Sequence, residues 1–283
     1  PVPLIQVEDT LKALGDLAAV RRREFSGPVI GLTGSTGKTS TKEMIARILG
    51  LTGPGLKTEG NFNNLIGLPL TLLRLTPEHR WVVLEMGMSA RGEIARLTEI
   101  AEPFVGIVTN VGPAHLETLH NIEGVARAKG ELFAGMKAGG IAILNADDER
   151  VARLPVANGV RRVFFGIDPR AEVRAEQVTT TRDGIRFELC LGEKRYPVRM
   201  EVAGRHNVQN ALAAAAAANA LEVPGELIAR GLEEFRPSPG RMELVEIEND
   251  ILILEDSYNA NPLSGRAALA TLDELGGEGR RVA

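Results

Sequence analysis

From residue 28 the chain alternates between short unbroken apolar runs and longer stretches with apolar residues every three or four positions. The runs Pro28–Thr33, Trp81–Glu85, Val105–Asn110 and Ile141–Asn145 are strand-length and lack in–out alternation, as strands buried on both faces do. Between them, Lys38–Leu49, Leu65–Leu75, Gly92–Ile100 and Ile122–Met136 carry helical spacing. Strand–helix–strand repetition predicts an α/β fold, a mostly parallel sheet wrapped by helices.

The pattern changes at residues 162–203. VFFGI, EVRAEQVTT, GIRFELCLG and YPVRMEVA read as successive strands, with Asp183-Gly184 as a hairpin turn. They predict a small antiparallel appendage on the parallel sheet. Helices are expected over His206–Leu221 and Pro224–Phe235. The first is almost pure alanine between Ala211 and Ala220, which combines high helix propensity with side chains small enough to let a helix lie close to a sheet. Two prolines and a glycine in RPSPGR, 236–241, mark a boundary. Beyond it, MELVEIEN and DILILEDS predict a hairpin and Leu263–Leu275 a helix. Before residue 28, PLIQVEDTLKALGDLAAV reads as a connector with a helix presenting Leu11, Leu14 and Leu17 on one face. The closing GGEGRRVA reads as a turn entering a strand at Val282, so both ends read as cut. The expected organisation is a connector at 1–27, a central domain at 28–236 and an incomplete C-terminal domain at 237–283.

Composition narrows the class. Of 283 residues, 44% are hydrophobic and 25% charged, which excludes a disordered chain. Net charge is −4, without the basic excess of a nucleic-acid binder. Cys190 is the single cysteine, so neither an internal disulfide nor a four-cysteine zinc site can form. No apolar run approaches the roughly 18 residues of a membrane span, and PVPLIQVEDT lacks signal-peptide character. These features predict a soluble protein of a reducing compartment, the cytoplasm. Oligomeric state leaves no trace in the pattern.

The sharpest chemical signal is GLTGSTGKTS, 31–40, where an apolar strand ends, a glycine-rich turn follows and a helix begins at Lys38. Glycines in Gly34-Ser35-Thr36-Gly37 let backbone N–H groups turn toward phosphate oxygens, and the helix N-terminus adds partial positive charge. Lys38 can reach the outer phosphates and the Thr39 hydroxyl can ligate Mg²⁺. Leu32 stands where the common motif has its first glycine, leaving the variant T-G-x-x-G-K-T. Such a loop works with an acid at a neighbouring strand end. Either Glu85, in WVVLEMG, or Glu255 and Asp256, in ILILEDS, could supply it, and acids at strand ends are also ordinary surface features.

Other polar clusters have bland readings as well. Asn61, Asn63 and Asn64 precede a helix, where asparagine caps and turns are common. His115 sits in TNVGPAHLE after a strand; a lone histidine is usually structural, but strand ends of parallel sheets bind ligands. Lys129 lies mid-helix in ARAKGEL, where solvation is the default. His206, Asn207 and Asn210 open a helix, and DSYNANP gathers Asp256, Tyr258, Asn259 and Asn261.

In this order the blocks T-G-x-x-G-K-T, NFNN followed by IG, EMG, TNVGPAHLE, AKGEL, GRHNVQN and DSYNANP resemble the Mur ligase family over nearly the whole chain. EMG and NANP resemble the branch that adds D-alanyl-D-alanine. The resemblance implies a central ATPase domain followed by the start of a Rossmann-like C-terminal domain. It implies ATP-dependent amide formation in peptidoglycan synthesis, joining D-alanyl-D-alanine to UDP-MurNAc-tripeptide through an acyl phosphate and releasing ADP and phosphate. The alternatives are another Mur or folylpolyglutamate-type carboxylate–amine ligase and, in a different class, a nucleotide switch without catalysis.

By the same resemblance Gly34–Thr39 and Asn207 hold ATP, with Arg241 and Asp256 adding phosphate and ribose contacts. Thr39 and Glu85 serve one Mg²⁺ and His115 a second, an unusual ligand for a metal that prefers oxygen. Lys129 matches a lysine carbamylated by CO₂, which turns a cation into a Mg²⁺-binding anion, and is expected beside Glu85 and His115. Lys38, Lys129 and His115 are the implied catalytic residues. Asn61, Asn63, Asn64, Tyr258 and Asn261 are the implied substrate contacts.

Overall fold

The computed structural model describes residues 4–181, 183–247, 251–275 and 281–283. Helix α1 (Thr10–Arg23) leads into β1 (Val29–Thr33), α2 (Lys38–Gly50), β2 (Gly55–Lys57) and α3 (Gly67–Leu73). Then come β3 (Trp81–Glu85), α4 (Glu93–Ala101), β4 (Val105–Val108), α5 (Leu116–Leu119), α6 (Ile122–Ala134) and β5 (Ile141–Asn145). A short α7 (Glu149–Ala152) precedes β6 (Arg161–Gly166), β7 (Val173–Thr181), β8 (Gly184–Leu191) and β9 (Lys194–Met200). Helices α8 (His206–Ala220) and α9 (Gly225–Glu233), hairpin β10 (Glu243–Ile247) and β11 (Ile251–Glu255), and α10 (Pro262–Glu274) complete the order.

Among the described residues the strands form a nine-stranded sheet, in the order β2-β3-β1-β4-β5-β6-β7-β8-β9, and a separate two-stranded sheet of β10 and β11. Pairing is parallel from β2 through β7 and antiparallel from β7 through β9. The expected antiparallel appendage is therefore smaller than the sequence pattern indicates. VFFGI, all but its last residue in β6, extends the parallel sheet, because Ile141–Asn145 pairs with Arg161–Phe165 in parallel register. Strand β2 escapes sequence reading because three residues carry no periodicity.

Alternate residues of the parallel strands feed two cores. Ile30, Leu32, Val83, Ile107 and Ile143 face α2, α8 and α9. Val29, Val82, Leu84, Val108 and Leu144 face the side covered by α3, α4 and α6. Helix α8 is buried from Asn210 to Ala218, pressed between the sheet and α2. Its alanines permit that close seat, as their size predicts.

Helix α1 corrects an expectation. Its buried residues are Gly15, Ala18 and Ala19, while Leu11 and Leu17 are exposed. Small residues let it lie against α3 and α4. Arginines then do the anchoring: Arg21 donates to Leu75 O (2.5 Å), and Arg22 donates to Ala101 O (2.7 Å) and Glu102 O (3.1 Å). These are carbonyls at the C-terminal ends of α3 and α4, where cations are favoured.

Among the described residues, none beyond Phe235 belongs to either core. Asn261 and Ser264 form a capping box on α10, with Pro262 in its first turn. Buried Thr271 is the inward contact of this helix. Of the expected closing turn and strand, residues 276–280 lie outside the described residues, and 281–283 are not strand.

Overpacking tests the seat of α8. Ala214→Leu is expected to lower unfolding stability by about 1–3 kcal/mol. The reading is a lower denaturant midpoint at unchanged slope.

Candidate active site

The parallel strands β3, β1, β4 and β5 end side by side, so the residues just past them share one edge. Strand order reverses around β1: the chain visits β2 and β3 on one side, then crosses to β4 on the other. Ligand crevices of open α/β sheets form at such a point.

The loop after β1 is held from several directions. Thr36 N–H donates to Asn110 Oδ1 (2.9 Å), and Asn110 Nδ2 donates back to Thr36 Oγ1 (3.0 Å) and Thr36 O (3.2 Å). Thr109 Oγ1 donates to the same carbonyl at 2.7 Å. Ser35 Oγ donates to Gly112 O (3.0 Å) and accepts from Gly112 N–H (2.8 Å). Two glycines are dictated by space: a Cβ on Gly34 would collide with Thr109 Oγ1, and one on Gly37, at φ 77°, with Asn210 Oδ1.

Lys38 curls over the loop and donates to Gly34 O at 2.9 Å. Removal from water lowers its pKa, the Glu85 carboxylate opposes that, and Arg241 adds to it. Glu85 is only 3% exposed. Its Oε2 accepts from Thr39 Oγ1 (2.9 Å), its Oε1 from Asn63 Nδ2 (2.9 Å), and its backbone N–H donates to Thr58 Oγ1 (3.0 Å). No Lys, Arg or His nitrogen lies within ion-pair distance of Glu85 among the described residues. Of the three acids offered for the phosphate loop, Glu85 is thus the one hydrogen-bonded to Thr39.

These groups line a cleft of about 930 Å³. Asn61, Asn145, Asp147, His206 and Asn207 also line it, as do Arg241, Asp256, Tyr258 and Asn261. The Arg241 guanidinium lies 4.2 Å from the centroid of the Tyr258 ring, a cation–π contact. Burial raises the Asp256 pKa, opposed by a hydrogen bond from the Met242 backbone and by Arg241. Asn207 donates to Ala203 O (2.8 Å) and accepts from Asn210 Nδ2 (2.9 Å).

Besides Gly34, whose carbonyl accepts from Lys38, three sequence-predicted residues stand apart from the cleft lining. Asn64 Oδ1 accepts from Ile66 N–H (3.1 Å) and Gly67 N–H (2.8 Å), so it caps α3. His115 is exposed at the head of the four-residue α5, in left-handed conformation at φ 53°. Lys129 is 3% exposed, so it is no solvated lysine. Its helix α6 packs on the sheet face opposite α2, and no carboxylate lies within 4.0 Å of Lys129 among the described residues. Burial, then the Lys38 charge, holds its pKa well below the usual lysine range. Asn261 lines the cleft, but its Oδ1 also caps α10 by accepting from Leu263 and Ser264 N–H at 2.9 Å.

Sequence reading missed Asn110, Asn145 and Asp147. Their signal was position: Asn110 follows β4, and Asn145 and Asp147 end and follow β5, the next two strands beyond β1 in the sheet. No cluster of three or more His, Cys, Asp or Glu occurs among the described residues. A metal here would draw on the Thr39 hydroxyl and the Glu85 carboxylate. Such an oxygen set suits Mg²⁺ completed by water and phosphate rather than an all-protein cage.

The profile of the Mur ligase middle domain matches residues 32–218. The chain belongs to the Mur ligase family. This Mur ligase chain is 41% identical over 278 residues to the UDP-N-acetylmuramoyl-tripeptide–D-alanyl-D-alanine ligase of Escherichia coli, covering 98% of the chain and 62% of that protein. Against the Bacillus subtilis ligase of the same name, identity is 37% over 279 residues, covering 99% and 60%. The crystal structure of MurF from Acinetobacter baumannii superposes with a TM-score of 0.92 at 38% identity, over 98% of this chain and 62% of that one. MurF from Thermotoga maritima, solved in complex with ADP, gives 0.86 at 30% identity, over 96% and 63%. The Mur ligase chain therefore spans about three fifths of the length of these relatives.

His206 gives the site a pH signature. Burial depresses its pKa from 6.5 to about 4, so the folded state holds it neutral while the unfolded chain still binds a proton between those values. Its contribution is fully present above pH 6.5 and is lost as pH falls toward 4. Denaturant unfolding at pH 7 and pH 5 should therefore show a smaller stability loss for His206→Gln than for the parent chain. Equal losses would remove His206 as a source.

Proposed function

We propose that this chain carries the ATP site of an amide ligase that joins D-alanyl-D-alanine to UDP-MurNAc-tripeptide in cytoplasmic peptidoglycan synthesis. The observation carrying the reading is the Lys38–Thr39–Glu85–Asn63 cluster at the phosphate loop, in a chain matching MurF proteins over nearly all its length. No helix among the described residues is long and apolar enough to cross a membrane.

The chemistry accounts for the residues. The substrate carboxylate attacks the γ-phosphorus of ATP, ADP leaves, and an acyl phosphate forms. The amine of D-alanyl-D-alanine then attacks the acyl carbon, and phosphate leaves with the amide formed. Two anions meeting at the first step repel, and fixed cationic and N–H groups offset that. Gly34–Thr39 supply the N–H cradle and Lys38 the charge. Asn207 serves the base, and Arg241 and Asp256 the phosphate and ribose sides. Asn61, Asn63 and Tyr258 face the substrate end. Thr39 and Glu85 would hold Mg²⁺, whose contribution is charge neutralisation at the terminal phosphates.

Lys129 completes the reading. Burial favours the neutral form of the Lys129 amine, and only a neutral amine adds CO₂, losing a proton to give a carbamate. That reaction replaces an unpartnered buried cation by an anion beside Lys38, and Lys129 is the residue proposed to carry it. The exposed setting of His115 supports no second-metal role for it in this conformation. The 237–283 segment is read as the opening of a Rossmann-like domain that closes over the nucleotide.

Three measurements check the proposal. Lys38→Ala should cut ATP turnover more than tenfold, on the order of 1.4 kcal/mol in the barrier, with the fold retained. ATP hydrolysis should require both UDP-MurNAc-tripeptide and D-alanyl-D-alanine; activity with glutamate or another amino acid as acceptor would instead identify a different carboxylate–amine ligase. For the carbamate, Lys129→Ala should lose activity and regain part of it in formate. Full activity of that variant in bicarbonate-free buffer would exclude the modification.

A further inference from the structure

Lys42 is among the largest fully buried side chains, 1% exposed, one helical turn beyond Lys38. Nothing in the nucleotide chemistry above uses it. We propose that Lys42 is a positioning residue that holds Thr58, and through Thr58 the Glu85 carboxylate, in register with Thr39.

The connections are direct. Lys42 Nζ donates to Thr58 O at 2.7 Å and lies 3.1 Å from Glu43 Oε1. Thr58 is fully buried just past β2, where its N–H donates to Val83 O at 3.0 Å. Its hydroxyl accepts the Glu85 N–H at 3.0 Å. The same segment continues into Asn63, which donates to Glu85 Oε1, and whose carbonyl accepts Gly87 N–H at 2.7 Å. Lys42 and Thr39 share α2, so one lysine fixes the distance between the helix carrying Thr39 and the strand carrying Glu85.

The choice of lysine follows from the geometry. A short polar side chain on α2 would not reach the Thr58 carbonyl, and an apolar one would leave that carbonyl buried without this donor, which is costly. Glu43 balances the charge and is itself paired with Lys57. The ammonium is thus satisfied by structural partners and is not offered to a ligand.

This inference rests on the reading of Thr39 and Glu85 as a Mg²⁺ site, and the test separates the two. ADP binding is titrated calorimetrically at rising Mg²⁺ and again in EDTA. Lys42→Met and Thr58→Val should each raise the half-saturating Mg²⁺ concentration about tenfold while changing metal-free ADP affinity less than about twofold. Thr58→Ser, which keeps the hydroxyl, should retain the parent value. The double variant should be no worse than the poorer single one, because both cut one path. If Lys42→Met does not fold, the Thr58→Val and Thr58→Ser pair decides alone. Parent-like Mg²⁺ dependence in Thr58→Val overturns the proposal, as does equal loss of metal-free binding. Glu85→Gln is the control. If it shifts Mg²⁺ dependence and the Lys42 and Thr58 variants do not, only the positioning role falls; if it shifts nothing, the metal site falls and the inference with it.

Discussion

Parallel pairing of β1 with β3 on one side and β4 on the other is the constraint from which the site follows. Leu32 sits opposite Glu85 and Ile107, and Ile107 opposite Ile143. One row across four strands therefore fixes where each chain leaves the sheet, and the phosphate loop, Glu85, Asn110 and Asn145 emerge at a common edge. Side chains alternate between faces, so a slip of one residue in β3 would turn Glu85 from the α2 face into the opposite core. The two apolar residues before it, Val83 toward one core and Leu84 toward the other, resist that slip. Hydrophobic burial thus sets the geometry of a polar site it does not itself contact.

That geometry is kept at a cost. Glu85 and Lys129 are both nearly inaccessible and neither has an opposite charge at ion-pair distance among the described residues. Removing an ionised group from water is unfavourable unless hydrogen bonds or a counter-ion compensate. For Glu85 the compensation is the pair of hydrogen bonds its carboxylate accepts from Thr39 and Asn63. For Lys129 the depressed pKa is the response. A fold gains nothing from such arrangements in isolation, and local conflicts of this kind concentrate where ligands bind.

Much of the frame was legible because burial on both faces writes itself as unbroken apolar runs. β3 and β5 fall where those runs predict, and β1 begins one residue later. The alanine helix was legible for the same reason: residues that small and that continuous have only a close-packing explanation. What failed were features decided by neighbours distant in sequence. The leucines of α1 look like an inward face, yet the contact distance to α3 and α4 admits only Gly15, Ala18 and Ala19. VFFGI carries no mark of direction, and its parallel sense comes from β5 alone. His115 depends on a backbone turn at positive φ, which histidine rarely signals.

Asparagine shows how far residue type can carry a site assignment. Asn61, Asn63, Asn64 and Asn261 are equal candidates by composition, all in loops before helices. Asn64 and Asn261 spend their Oδ1 atoms on helix caps, where two N–H groups each would otherwise lack partners. Asn63 differs because its side chain donates to Glu85, a group whose own burial calls for an explanation. A cap satisfies a local requirement of the backbone, and its removal costs stability wherever it sits. A bond to an otherwise unexplained buried acid couples the loop to the site. The distinction lies in what the partner needs, and it separates Asn63 and Lys42, one on each side of the Glu85 cluster, from the polar residues that merely surround it.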